Sequence, residues 1–415
     1  MKSVSLSSPE HLSVTSKPGM FSNLARRLVL GKFRNLETGH LVLIDGDNQM
    51  SFGESAETAT LRATITVKDQ RFYSDIAFGG SIGAGESYMT GGWDCDDLVT
   101  VIRLLVQNRS VLDQMDSGSA IFTRPLQKTF HWINRNTRKG ARRNISVHYD
   151  LGNDFFSLWL DQSMMYSSAI FDQPDMSLAE AQVARLDRIC ENLDLGHGDH
   201  VIEIGTGWGG FALHAASKYG CRVTTTTISR EQYEMTWKRV EEAGLQDRIE
   251  LLFEDYRDLN GTYDKLVSIE MIEAIGWKQF DTYFAKCSKL LKPGGKMLIQ
   301  AITIADQNFE KAKRSVDFIQ RYIFPGSNLT SVASMSHSIA TATDLQVTGL
   351  TDIGLDYAKT LRAWRENFFA RLNEVKALGY SEEFIRMWEY YFCYCEGGFT
   401  ERVISDVHLQ ARKPL

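Results

Sequence analysis

The chain has 415 residues, 43% of them apolar, and its 46 lysines and arginines against 52 aspartates and glutamates give a formal charge of −6. That length and apolar content support a large core and two domains, and the acidic balance excludes a protein that coats nucleic acid through overall positive charge. Every apolar run falls short of the roughly twenty residues that cross a bilayer, so no transmembrane segment is expected.

Residues 1–18 are Ser-rich and lack the apolar stretch of a secretory signal, which predicts a disordered N-terminal tail. A small α+β domain is expected over 19–128. It opens with Phe21–Leu30, whose apolar positions recur at helical spacing with Arg26 and Arg27 on the other side. Such a helix either packs in its own domain or lies on an anionic membrane. Residues 40–86 alternate like short strands, as in Leu41–Ile44 and Leu61–Val67. The glycines of Gly79–Met89 are not followed by Gly-Lys-Ser/Thr, so they predict a structural turn rather than a phosphate loop. Asp97–Ser110 reads as an amphipathic helix closing the domain.

A basic linker is expected over 129–145, where Arg135–Arg143 holds five cations in nine residues. Two readings stand: a solvated hinge, or a docking point for lipid phosphates at about 1 kcal/mol per cation. Beyond it, His148–Phe156, Leu160-Asp161 and Met164–Ser168 mix aromatics, methionines and hydroxyls more densely than a plain core requires. Their apolar side chains suit an acyl channel, with Tyr166 and Ser167 placed to hydrogen-bond a polar cofactor.

Val201-Ile202-Glu203-Ile204-Gly205-Thr206-Gly207-Trp208-Gly209-Gly210 is an apolar run that opens into glycines and then Phe211–Ala216. This predicts a buried strand, a tight turn and a helix start, an arrangement that binds an adenosine-bearing ligand through closely approaching backbone. The spacing fits G-x-G-x-x-G, so a dinucleotide oxidoreductase is the first rival. Glu203 argues against it, because a carboxylate there repels a pyrophosphate and welcomes the amino group of a methionine moiety. The ribose-binding acid expected about twenty residues on is also replaced, by Thr224–Ser229. S-adenosylmethionine is therefore the expected cofactor.

Strands near 222–227, 249–253, 265–269 and 296–301 alternate with helical patterns at 229–243 and 279–291. The pattern predicts an α/β fold with a doubly wound, mostly parallel sheet covered on both faces. Ligands of such sheets sit at the strands' carboxyl ends, which places Glu203–Gly209, Thr227, Phe253–Asp255, Glu270–Glu273 and Gln300–Ile302 around one cleft. An insertion at about 304–345, with Phe309, Val316, Phe318, Ile319, Tyr322, Ile323 and Phe324 among charges, predicts a helical cap that keeps water out. Leu361, Trp364, Phe368, Leu372 and Val375 form a core-facing stripe. The six cysteines, Cys95, Cys190, Cys221, Cys287, Cys393 and Cys395, show no metal-ligand spacing beyond the close pair at 393 and 395. They read as reduced thiols of a cytoplasmic protein, with no metal site.

Tyr149–Phe156, Met165–Ser167, Glu203–Gly209, Thr227–Gln232, Asp255–Asp258, Met271–Glu273, Tyr322–Gly326, Leu355–Leu361 and Cys395–Phe399 together resemble the cyclopropane-fatty-acyl-phospholipid synthases and mycolic acid cyclopropane synthases. The resemblance implies a class I methyltransferase domain over 146–415, with an acyl-binding cap. It also implies transfer of a one-carbon unit to a cis double bond of a phospholipid acyl chain, giving a cyclopropane. Its cofactor positions correspond to Tyr166, Ser167, Glu203, Gly205, Gly207, Thr227, Gln232, Phe253 and Glu254, with Thr206, Trp208 and Gly209 in the same turn. It further implies a bicarbonate ion that accepts the leaving proton, at Glu273, Ile302 and Tyr357. Ser168 stands where many members have cysteine, and Gln300 where they have histidine. The backbone N–H of Ser168 and the amide of Gln300 can still hold an anion, but Gln300 cannot titrate. These two departures open an alternative product, a methyl- or methylene-branched chain. A non-catalytic lipid-binding protein is the rival of another class. The resemblance puts a cysteine called catalytic at Cys395, although an alkene attacking a methyl group needs no thiolate, and a buried packing role is the physical reading. It also suggests a homodimer that acts peripherally at the inner face of the membrane.

Overall fold

A computed structural model describes residues 20–109 and 151–415. The N-terminal tail, the basic linker and His148, Tyr149 and Asp150 lie outside the described residues. The helix Met20–Phe33 packs through Ala25, Val29, Leu30 and Phe33, leaving Leu24 and Leu28 exposed. Strands β1 (His40–Asp45), β2 (Asn48–Gly53), β3 (Arg62–Val67) and β4 (Trp93–Cys95) form a sheet of order β2-β1-β3-β4, in which only β1 and β3 run parallel. Alternation in β1 buries Leu41, Leu43 and Asp45. The buried acid accepts hydrogen bonds from Tyr73 Oη (2.8 Å), Gln70 Nε2 (2.6 Å) and Arg26 Nε (3.1 Å), which ties the sheet to two helices.

The turn expected at Gly79–Met89 is instead the second half of a helix, Arg71–Met89, kinked at Gly80 (φ 59°, ψ −139°). Gly85 serves close packing: a Cβ there would lie 2.5 Å from the Phe318 ring. The helix Leu98–Gln107 follows, capped by Asp97, whose side chain accepts from Val99 N at 3.0 Å.

The second sheet has seven strands. They are β5 (His200–Ile204), β6 (Arg222–Thr226), β7 (Ile249–Leu252), β8 (Tyr263–Ile269), β9 (Leu291–Ile304), β10 (Gln346–Asp352) and β11 (Ile404–Arg412), in the order β10-β11-β9-β8-β5-β6-β7. β5 to β9 are parallel, while β11 and β10 add antiparallel edges. Strand order reverses beside β5, and that switch point is where an open α/β sheet holds its ligand.

The insertion between β9 and β10 carries the helices Asp306–Ala312 and Val332–Ala342 and a π-helical turn at Ile319–Ile323. Phe318 of this cap packs against Tyr390 in the long helix Glu382–Thr400, with ring centroids 4.6 Å apart and planes inclined by 53°. That helix also grips the small sheet. Arg386 donates to Tyr88 O (2.5 Å), Trp93 O (2.8 Å) and Asp94 Oδ1 (2.9 Å), and Glu401 accepts from Arg103 (2.6 Å). Phe155, Phe156, Trp159, Trp364, Phe368, Trp388 and Phe392 form a buried aromatic core in mutual ring contact. It packs beneath the segment bearing Tyr166. Among the described residues no helix is long and apolar enough to cross a membrane.

Candidate active site

β5 ends in a turn that begins at Gly205, where φ is +98° and a Cβ would meet Met271 at 2.9 Å, so a side chain is excluded on two grounds. The turn opens onto a cavity of about 1170 Å³. Glu203, Gly205, Thr206, Gly207 and Trp208 line one end, joined by Thr227 and Gln232 from the next βα connection. Ser229 caps the helix Arg230–Glu242 by accepting from Gln232 N, and Gln232 Oε1 accepts from Thr227 Oγ1 at 2.8 Å. Trp208 is fixed by donating Nε1–H to Asn153 Oδ1 (2.7 Å). Tyr166 and Ser167 form a further wall, and Tyr166 Oη donates to Tyr391 Oη at 3.0 Å.

Glu203 is 2% exposed and accepts from Thr225 Oγ1 at 2.6 Å; burial pushes its carboxyl up to about 8. Ser167 Oγ and Thr206 Oγ1 are buried at the same wall without a hydrogen-bond partner among the described residues. A polar ligand carrying hydroxyl and amino groups would satisfy them. These residues fit S-adenosylmethionine.

From the turn the cavity runs between apolar walls that include Ile82, Val106, Val316, Ile319, Phe324 and Leu361. Three parts of the chain contribute: two helices of the small domain, the cap and the C-terminal helices. Between turn and walls stand Glu270, Glu273, Ile302 and Tyr357. Glu273 Oε1 accepts from Ile302 N at 2.6 Å, whereas its Oε2 is buried and partnerless among the described residues. Burial, reinforced by the charge of Glu270, pushes the Glu273 carboxyl up to about 8. Tyr357 stacks on Phe399 at 4.4 Å and donates its hydroxyl to Glu270 Oε2 at 2.7 Å.

Several expected site residues sit elsewhere. Gln300 and Ser168 are fully buried and do not line the cavity. Gln300 Nε2 donates to Glu270 Oε1 (2.8 Å) and Asp406 Oδ2 (2.8 Å), and Ser168 N donates to Glu270 Oε1 (2.8 Å). Both lie behind Glu270 because β11, paired to β9 with His408 opposite Gln300, covers that side of β9. Phe253 is also corrected: beyond the end of β7 its ring lies 38% exposed beneath the Arg230 guanidinium (5.2 Å), away from the cavity. Gly209 stands just outside the wall, at the start of the helix Gly210–His214. Glu254 does reach the cavity, as does Cys395, whose thiol burial pushes well above its ordinary range, so no thiolate stands ready.

Sequence reasoning missed the polar group behind this wall. Arg185, fully buried, donates to Gln182 Oε1 (2.8 Å) and more distantly to Gln300 Oε1 (3.4 Å). Desolvation lowers it to about 10, which leaves it cationic at neutral pH, with Glu270 and then Asp406 as its leading opposite charges. Burial and the Glu270 charge push Asp406 well up, and burial next to Arg185 holds His408 near 3, hence neutral. The pairing of Glu270 with Glu273, three positions apart at the end of β8, was the available signal. Asp406 and His408 gave none, because β11 was not predicted.

A free bicarbonate does not fit these groups. Of the donors assigned to it, Ser168 N–H, the Gln300 amide and the Tyr357 hydroxyl are engaged by Glu270, and Ile302 N–H by Glu273.

Strand order and glycine turn define a class I methyltransferase fold that uses S-adenosylmethionine. The family model for mycolic acid cyclopropane synthetase matches residues 136–409. Tuberculostearic acid methyltransferase UfaA1 of Mycobacterium tuberculosis is 40% identical over 329 residues, covering 77% of this chain and 76% of that protein. Cyclopropane-fatty-acyl-phospholipid synthase of Escherichia coli is 39% identical over 352 residues, covering 83% and 86%. Among solved structures, mycolic acid cyclopropane synthase CmaA1 complexed with SAH and CTAB is similar with a TM-score of 0.61 at 29% identity, covering 66% of this chain and 98% of that one. The chain belongs to the mycolic acid cyclopropane synthetase family and is an S-adenosylmethionine-dependent methyltransferase.

Proposed function

We propose that this enzyme transfers a one-carbon unit from S-adenosylmethionine to the cis double bond of an unsaturated phospholipid acyl chain and leaves a cyclopropane ring. The observation that carries this reading is one continuous cavity, polar at the glycine turn, lined beyond it by apolar side chains together with cap cations such as Lys311, Lys313 and Arg321, with carboxyl groups at the junction. When bound, S-adenosylmethionine supplies an electrophilic methyl group on a sulfonium. Glu203, Ser167, Thr206 and Gln232 would hold it by hydrogen bonds, and Tyr166 and Trp208 would flank it. The apolar walls align the acyl chain and exclude the water that would quench a carbocation. A carboxylate at the junction stabilises positive charge as it develops on the acyl carbon. Identity to the Escherichia coli synthase supports phospholipid as the acyl carrier. Peripheral action at the inner membrane face and a homodimer belong to the same proposal and rest on the family resemblance.

A second reading, a methyl- or methylene-branched product, is favoured by the withdrawal of Gln300 and Ser168 from the cavity and by similarity to the tuberculostearic acid methyltransferase. Incubation with radiolabelled S-adenosylmethionine and vesicles of unsaturated phospholipid tests both. Label in the acyl chains supports transfer, and mass spectrometry after mild hydrogenation distinguishes a surviving ring from a reduced methylene. Cofactor binding by calorimetry without label transfer would reduce the protein to a non-catalytic lipid binder.

A further inference from the structure

Glu270 holds a backbone conformation that a glutamate rarely adopts: φ is +47°, in the left-handed region that favours glycine. Such strain persists only where the surroundings enforce it, and residues of this kind gather at functional sites. Here the enforcement is visible. Its N–H donates to Gln300 O at 2.8 Å, and three donors from separate parts of the chain converge on its carboxylate: Ser168 N–H, Gln300 Nε2–H and Tyr357 Oη–H. Arg185 supplies the buried positive charge behind them. The carboxylate has about four lone-pair sites. Asp406 presents a further buried carboxyl to it, and Glu270 lines the cavity. A helical-propensity or packing argument does not explain why an acid is held here in a glycine conformation.

We propose that Glu270 is the built-in base of this enzyme and does the work that the family resemblance assigns to a bound bicarbonate. The proposal rests on the one-carbon transfer argued above. Once the alkene has taken the methyl group, the acyl chain carries a cationic carbon. The Glu270 carboxylate then accepts a proton from the transferred carbon. The C–H pair so released forms either the third bond of the ring or, after a hydride shift along the chain, the double bond of a methylene branch. The proton rests on Glu270 and passes to water when the product leaves. Ser168, Gln300 and Arg185 are positioning residues for this group: burial raises its carboxyl, which makes it the stronger base, and the hydrogen bonds with the Arg185 charge oppose that rise.

Two measurements test the assignment. In carbonate-free buffer, label transfer to dioleoylphosphatidylglycerol vesicles should proceed fully in the native enzyme and be unchanged by added bicarbonate. In Glu270→Gly, which relieves the strained backbone and opens the donor cradle, transfer should fall about 100-fold or more and recover on adding bicarbonate. Glu270→Gln, which fills the cradle with an amide, should fall equally and not recover. Equilibrium dialysis with radiolabelled bicarbonate, independent of turnover, should show no binding to the native protein and binding to Glu270→Gly. Stimulation of the native enzyme by bicarbonate, bicarbonate bound to it, or full turnover by Glu270→Gln would each overturn the proposal. Should the variants fail to fold, the two native-enzyme measurements still decide. Absence of any label transfer would instead count against the proposed function, while dialysis continued to test Glu270.

Discussion

Glu273→Gln preserves the shape of a side chain that is 8% exposed and removes its charge. In the native protein burial raises this carboxyl from 4.5 to about 8, so the folded chain binds a proton there that the unfolded chain has released. The sign follows from linkage: stability is unaffected below the unfolded value and falls progressively as pH rises from about 4.5 to 8, because the folded state alone must carry a desolvated charge. At 1.36 kcal/mol per unit, the penalty is on the order of 3 kcal/mol at neutral pH and about 5 kcal/mol above pH 8. Glutamine escapes it while still accepting from Ile302 N–H. Urea melts of both proteins across this window should coincide near pH 4.5 and diverge toward alkaline pH, with the variant the more stable. Glu270 and Asp406 feel the Glu273 charge, so the difference reports position 273 together with its coupling to those neighbours. Label transfer should be abolished with cofactor binding largely intact. Coincident melts at every pH would refute the electrostatic account, and full turnover would remove Glu273 from the reaction.

Glu203→Gln should weaken S-adenosylmethionine binding by about 1.5–3 kcal/mol, tenfold or more, by titration calorimetry at about pH 9, where a charged acceptor is lost, and by less at about pH 7, where the native carboxyl must first release its proton. Gln300→His should lower both stability, by about 1–3 kcal/mol, and turnover, because one imidazole cannot replace two amide N–H donors on Glu270 and Asp406. A gain in turnover would contradict this placement. Gly85→Ala should lower the melting temperature through a cost of about 1–3 kcal/mol, since its Cβ would lie 2.5 Å from the Phe318 ring.

The parallel strands were legible because strands buried on both faces are written as apolar runs, and Gly205 and Glu203 announced the turn. β10 was not legible, since an edge strand reading Gln346–Asp352 is exposed nearly throughout. β11 was hidden for the opposite reason: Asp406 and His408 break its apolar run yet are fully buried, each compensated by partners more than a hundred residues away. The helix Arg71–Met89 was concealed by its glycines, of which Gly80 forms the kink and Gly85 the contact with the cap, neither of which local propensity reports. The same limit explains Gln300 and Ser168. Their residue types suggested donors facing a ligand, but only tertiary placement reveals that a carboxylate of the chain itself receives them. Phe253 failed on direction alone, its ring drawn outward by Arg230.

The most direct measurement uses S-adenosylmethionine carrying a trideuterated methyl group, unsaturated phospholipid vesicles and mass spectrometry of the recovered acyl chains. Removal of a proton from the transferred carbon predicts an acyl chain that gains one carbon and retains two of the three deuterium atoms. Acyl chains that gained no carbon, or that kept all three, would contradict the account.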